Sequence, residues 1–155
     1  MLKSFQALAA EPDSALKPQA ANGRDVVQWL KQAHTKLEDA RQTAISAGTR
    51  MDAAWDAVLM ACLAVACAEG WRATSEKGHR AVVLEGTVQA LGLSEPRHDE
   101  LDTLRDWRNR KYRAGFAVHA SEVEEALQWV APFLTEVAHW FHEQHSKLMK
   151  QGLAL

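Results

Sequence analysis

Cysteine and tyrosine are scarce in this sequence, which contains two cysteines and one tyrosine among 155 residues. Cys62 and Cys67 lie in one apolar stretch at a spacing that points them in different directions on a helix, so they cannot form a disulfide with each other. The chain therefore lacks a disulfide framework, and two buried thiols are typical of a protein of the reducing cytoplasm.

Long hydrophobic segments are also lacking. The longest apolar run, residues 57–68, is too short to cross a bilayer and indicates a buried core helix, and no secretory signal is visible. We therefore expect a cytoplasmic protein without membrane association. The net charge of −2 argues against a protein built wholly around nucleic-acid binding, but it allows a local basic patch.

The sequence motifs of common catalytic and cofactor sites are missing too. There is no glycine-rich phosphate loop, CxxC pair, HExxH motif or nucleophile elbow. His139, His142 and His145 follow one another at three-residue steps, but a helix spreads them over about 120°, which is too wide for one ion. We expect no metal and no cofactor.

The apolar residues recur at helical spacing and predict five helices. Four of them span residues 25–46, 50–69, 78–91 and 95–113, and a fifth begins at residue 121. The second is apolar nearly all round, so it should lie at the centre of the fold. No segment alternates with period two, so no sheet is expected.

Local signals set the predicted helix ends. Ala47-Gly48 should stop the first helix, with Thr49 as the N-cap of the second. Ser121 should open the fifth helix through a capping box, and Pro132 should kink or break it. The prediction is an all-α, up-and-down bundle of four main helices plus one shorter helix.

Prolines and an Asn-Gly pair punctuate residues 1–24, which should therefore form a flexible arm. The remaining residues, 25–155, should form one domain. Six tryptophans are spread over this length, and most of them should anchor the core or a dimer interface.

The unusual stretch is residues 105–113, which places five cations and one acid at the end of the predicted fourth helix. The purely structural interpretation is a solvated helix end, because cations at a helix C-terminus complement the helix dipole. Asp102, Asp106 and Arg110 would form such a solvated face, spaced as an i,i+4 ladder.

A second face of the same helix combines polar groups with apolar neighbours. Arg105, Arg108, Asn109 and Tyr112 share a side with Leu101 and should therefore be partly buried. Partly buried arginines need acids of the protein or an anionic ligand as partners. Together with an amide and a phenol, they suit single-stranded RNA or a nucleotide.

The order of elements, Gly78-His79-Arg80 and Arg108-Asn109-Arg110-Lys111-Tyr112 resemble the HEPN superfamily (higher eukaryotes and prokaryotes nucleotide-binding) over about residues 25–150. The resemblance implies a helical bundle that is usually dimeric. Many members are metal-independent ribonucleases with an arginine, a following polar residue and a histidine a few positions later. Others are non-catalytic partners of nucleotidyltransferases or RNA-binding modules.

Arg108 and Asn109 match the first two positions of this motif, but no histidine stands near Tyr112 or Arg113, and His119 lies beyond the predicted helix end. Arginine cannot serve as the general base at neutral pH, and tyrosine titrates too high. The resemblance therefore implies binding without cleavage.

The leading hypothesis is a homodimeric, non-catalytic HEPN-like module that binds single-stranded RNA, a nucleotide or a partner protein such as a nucleotidyltransferase. The predicted ligand-binding residues are Arg105, Arg108, Asn109, Tyr112, Arg113 and His79, and no catalytic residue is assigned. His79 is included because free N–H groups at its helix start favour anions.

Two alternatives remain open. The first is a metal-independent ribonuclease of a toxin–antitoxin or defence system, in which Tyr112 or His119 replaces the missing histidine. The second is a purely structural, protein-interaction bundle, in which the arginines pair with acids of the chain itself.

Overall fold

A computed structural model describes residues 1–154, within which the chain forms seven α-helices and one two-stranded sheet. The prediction of a mainly helical protein is confirmed. The elements in chain order are α1 (Phe5–Ala9), β1 (Leu16–Pro18), α2 (Gly23–Arg41), α3 (Ala47–Ala68), β2 (Trp71–Ala73), α4 (His79–Ala90), α5 (Glu95–Arg110), α6 (Ala120–Gln144) and α7 (Ser146–Leu153).

The central element is α3, which packs against α2, α4, α5 and α6. It is apolar nearly all round, as the sequence predicts for a central helix, and Trp55 is its largest buried side chain. It is also the one described helix long and apolar enough to cross a membrane, but 72% of its most apolar stretch is buried inside the protein. This burial is that of a core helix.

The junction between α2 and α3 differs from the prediction. The first predicted helix ends at Arg41, because Gln42 adopts an extended conformation. The N-cap of α3 is Ser46, whose Oγ accepts the N–H of Thr49 at 3.4 Å. Thr49 and Gly48 therefore lie inside the first turn of α3, since an earlier cap satisfies that turn.

Residues 1–24, for which the sequence predicts a flexible arm, pack against the core. Phe5 and Leu8 of α1 and Leu16 of β1 are buried. The ring of Phe5 lies directly on Gly86 of α4, where a side chain would collide with it. Burial of these apolar side chains ties the segment down.

The prediction of no sheet is wrong. β1 pairs antiparallel with β2, with Leu16 opposite Ala73 and Pro18 opposite Trp71. The predicted polar loop at residues 71–77 thus begins with a strand. Gly70, at φ +89°, turns the chain from α3 into β2, a backbone conformation that glycine adopts without strain.

The last two helices also depart from the prediction. The N-cap of α6 is His119, whose backbone N–H donates to Glu122 Oε1 at 3.0 Å, so the cap lies two residues before Ser121. α6 runs uninterrupted through Pro132. The carbonyl that loses its helical partner belongs to Gln128, one turn earlier, and both residues are on the exposed side of the helix. The chain breaks instead at His145, and α7 then packs on α2.

Candidate anion-binding cleft

The basic end of α5 meets the first turn of α3 at a cleft of about 240 Å³. This cleft holds part of the predicted binding segment. Its lining residues are Ser46, Gly48, Thr49, Met51, Asp52, Leu104, Trp107, Arg108, Lys111 and Val118.

The α3 side of the cleft is a helix N-terminus. Ser46 Oγ accepts the N–H of Thr49, whereas the N–H groups of Ala47 and Gly48 have no acceptor among residues 1–154. No atom lies within 4 Å of where a Cβ on Gly48 would stand, so this backbone is open to approach. Free N–H groups and the positive end of the helix dipole both favour an anion here.

The α5 side contributes two cations with different surroundings. Lys111 Nζ forms an ion pair with Asp52 Oδ2 of α3 at 3.1 Å, which fixes the end of α5 against α3. Arg108 is half-buried and forms no ion pair with any residue from 1 to 154. Its guanidinium keeps its donors available for a ligand.

The two other arginines near the end of α5 are already paired. Arg105 Nε donates to Asp102 Oδ1 at 2.6 Å, one turn back on the same helix. Arg110 pairs with Asp106 at 2.7 Å, as the predicted i,i+4 ladder requires. Both arginines are thus paired with acids of the same helix, as expected for a solvated helix end. Arg108 has no such ion pair.

A further acid lies near the cleft. Burial raises the pKa of Asp56, and Asp52 adds to this, while Lys36, Arg108 and Lys111 act in the opposite direction. Arg108 and Lys111 of α5 therefore lie close enough to Asp56 of α3 for their charges to favour its ionised form.

The remaining predicted residues are not brought into the cleft. Asn109 and Arg113 are exposed, and Tyr112 is 77% exposed, with Lys111 Nζ 5.3 Å from its ring centre. The predicted burial of Asn109 and Tyr112 is wrong. α5 ends at Arg110, three residues before the predicted end, so the helical face that should have carried Tyr112 toward the core does not extend that far.

His79 also lies away from the cleft lining. Its Nδ1 is 3.1 Å from the backbone oxygen of Glu76, at the start of α4.

Two parts of the cleft were not predicted from the sequence, namely Lys111 as a cleft residue and the first turn of α3. Ser46, a strong N-cap residue three positions before Thr49, was the available signal for that turn.

The three histidines of the last predicted helix have separate environments. His139 pairs with Glu143 at 3.0 Å, and His145 lies 3.7 Å from Glu69 and packs against Trp140. Within residues 1–154, no three metal-ligating side chains are grouped as a site.

No model of a known protein family matches the chain, and no curated protein matches it in sequence.

Proposed function

We propose that this protein is a non-catalytic, HEPN-like module that binds the phosphate of single-stranded RNA or of a nucleotide in the cleft between α3 and α5. In this proposal the four main helices α2, α3, α5 and α6 form an up-and-down bundle with α4 as the shorter helix. The protein acts in the cytoplasm as a homodimer, and a partner protein such as a nucleotidyltransferase is the alternative occupant of the cleft.

The observation that carries the proposal is the unpaired, half-buried Arg108 beside the N-terminus of α3. Arg108 forms no direct ion pair within residues 1–154, and the charge of Asp56 reaches it only across the α3–α5 contact, so its guanidinium donors remain available to a ligand that carries negative charge. Arg108 can donate two parallel hydrogen bonds to a phosphate, and the N–H groups of Ala47 and Gly48 can donate from the facing side.

The charges in the cleft match one phosphate rather than a long stretch of backbone. Asp52 pairs with Lys111, and Asp56 lies within reach of the charges of both Arg108 and Lys111, so the positive charge left for a ligand is small and comes from Arg108 and the N-terminus of α3. The exposed Tyr112 and Asn109, just beyond the cleft, offer a stacking surface and hydrogen-bonding groups for a base next to that phosphate.

The ribonuclease alternative has one supporting observation. Val118 lines the cleft, and His119 follows it directly in the chain. His119 therefore lies next to a residue of the cleft lining. Cleavage would require His119 to reach the ribose 2′-hydroxyl at hydrogen-bonding distance. One assay therefore has to separate retention from cleavage.

The test is binding and integrity of labelled single-stranded RNA in EDTA, with the wild type, Arg108→Ala, His119→Ala and Arg24→Ala. Arg24 is an exposed arginine of α2 without an ion pair among residues 1–154, which makes it a matched control. Lys36 is a poorer control because its charge acts on Asp56, close to the cleft.

We expect salt-sensitive retention of intact RNA that falls about tenfold or more in Arg108→Ala and is unchanged in Arg24→Ala. Cleavage by the wild type that is lost in His119→Ala would replace the proposal with the ribonuclease alternative. Equal binding by all variants, or no binding by any, would refute the cleft as an RNA site and leave the protein-interaction hypothesis.

A further inference from the structure

We propose that a second cavity, formed by α2, α3 and the β1–β2 sheet, binds a small zwitterion, namely a free α-amino acid with an aromatic or large apolar side chain. The cavity measures about 370 Å³, within the range of about 300–1,000 Å³ that is typical of small-molecule sites. Its lining residues are Gln19, Asp25, Gln28, Trp29, Gln32, Leu63, Ala66, Cys67, Trp71, Arg72 and Ala73.

The cavity is separate from the anion-binding cleft. Thr49 of the cleft and Cys67 of the cavity are 18 positions apart on α3, which corresponds to roughly 27 Å along a helix axis. The proposal therefore does not depend on what the cleft binds.

The sheet is what turns this groove into a cavity. Gln19 N–H donates to the Gly70 carbonyl at 2.9 Å, extending the pairing of β1 and β2 beyond the strands. This pairing holds Trp71, Arg72 and Ala73 over the groove between α2 and α3.

Two oppositely charged side chains line the cavity without neutralising each other. Asp25 of α2 and Arg72 of β2 are both exposed, and neither forms an ion pair within residues 1–154. A ligand carrying both an ammonium and a carboxylate would satisfy both. A phosphate or another simple anion would leave Asp25 as a repelling charge, and a simple cation would meet Arg72 in the same way.

The uncharged part of the lining fits an apolar or aromatic side chain with polar groups at its edge. Trp29 and Trp71 are half-buried and pack on the core, so each also contributes surface to the cavity. A tryptophan face attracts both an aromatic ring and an ammonium group. The amides of Gln28 and Gln32 line the cavity without a hydrogen-bond partner among residues 1–154, and they can bond the carboxylate or the ammonium.

Cys67 does not add chemistry to this site. Burial raises the pKa of its thiol, so the sulfur stays protonated and neutral at physiological pH. A neutral, partly walled-in thiol favours a binding site over a site for a thiolate-bound metal or a covalent intermediate.

The test is isothermal titration calorimetry of the full chain with L-phenylalanine and L-leucine. N-acetyl-L-phenylalanine lacks the ammonium charge, L-phenylalaninamide lacks the carboxylate, and adenosine and glucose represent other ligands that tryptophan and amide groups bind. We expect saturable binding of at least one free amino acid, with about tenfold or greater weakening for each analogue that lacks one charge.

The variants Asp25→Asn and Arg72→Gln change exposed side chains without ion pairs, so they should fold. Each should weaken binding about tenfold or more, whereas the matched controls Glu125→Gln and Arg24→Gln should not. The proposal is overturned if neither amino acid binds saturably up to millimolar concentration. It is also overturned if the charge-deleted analogues bind equally well, if adenosine or glucose binds instead, or if both variants bind like the wild type.

Discussion

Arg50 offers the sharpest test of what holds this fold together, because it is an arginine with a side chain that is almost entirely buried. It is 3% exposed in the first turn of α3. Its Nε donates to the Ala40 carbonyl at 2.8 Å, and a terminal guanidinium nitrogen donates to Glu124 Oε1 at 2.8 Å. Ala40 lies in the last turn of α2, where carbonyls have no partner within the helix. Arg50 therefore caps α2 while pairing with α6.

The two contacts of Arg50 should contribute unequally. Loss of the donor to a buried carbonyl costs about 1–3 kcal/mol, and loss of a cation at a helix C-terminus adds about 0.3–1 kcal/mol. Glu124 is 59% exposed, so solvent screens its pairing, and the pair should contribute at most about 1 kcal/mol. We therefore expect Arg50→Met to lower the free energy of unfolding by about 2–4 kcal/mol, and Glu124→Gln by less than about 1 kcal/mol.

Urea denaturation followed by circular dichroism measures both changes. Arg110→Met is the matched control, because Arg110 is half exposed and pairs with Asp106 on the surface, and it should change stability by no more than about 0.5 kcal/mol. The argument would be refuted if Glu124→Gln cost as much as Arg50→Met, since the ion pair would then dominate. A loss below about 0.5 kcal/mol for Arg50→Met would equally refute it, because the carbonyl would then be satisfied by other means.

Two further predictions concern packing and pH. Gly86→Ala should lower the free energy of unfolding in urea by about 1–3 kcal/mol, because its Cβ would collide with the Phe5 ring, and a smaller side chain in Phe5→Leu should recover part of the loss. No recovery in the double variant would show that the ring is not the obstacle. Asp56→Asn should raise the melting temperature at pH 7 but not at pH 3. Burial raises the pKa of Asp56 in the folded state, so the acid costs stability as pH rises from its unfolded pKa through the folded one, and equal effects at both pH values would contradict this.

The sequence predicted those helices well whose ends carry a capping residue, proline or glycine nearby in the chain. α5 begins at the predicted residue, where Ser94 is the N-cap and Pro96 lies in the first turn, and α4 spans nearly the predicted range. The central position of α3 followed from its composition, because a helix that is apolar on all sides has to be surrounded by other elements. Where two local signals competed, as at Ser46 and Thr49, the sequence alone did not decide between them.

The sheet could not be predicted because its signal is not local. β1 and β2 contain three residues each, which is too short for period-two alternation to be visible. Each strand is defined by the other, and they lie on opposite sides of α2 and α3 in the sequence. The same long-range pairing closes the second cavity, so the sequence did not predict that cavity either.

The cleft was predicted in part. Composition identified the basic end of α5, and Arg108 is the predicted residue that lines the cleft. The facing N-terminus of α3 comes from the packing of two helices, which no spacing within α5 can reveal. The burial predicted for Tyr112 depends on a helix that continues to residue 113. Asn109, Arg110 and Lys111 include no glycine or proline that would signal the end of α5 at Arg110.

The two proposed sites share one physical origin in α3. Because α3 is buried along most of its length, a ligand can approach it chiefly at its ends, and those ends carry opposite partial charges. Ala47 and Gly48 at the N-terminus present free N–H groups to the cleft, which favours an anion. Ala66 and Cys67 in the last turn border the second cavity, where the negative end of the dipole favours an ammonium group. The polarity of α3 thus favours the phosphate that we propose for the first site and the ammonium group that we propose for the second, and the side chains of Arg108 and Asp25 act in the same direction.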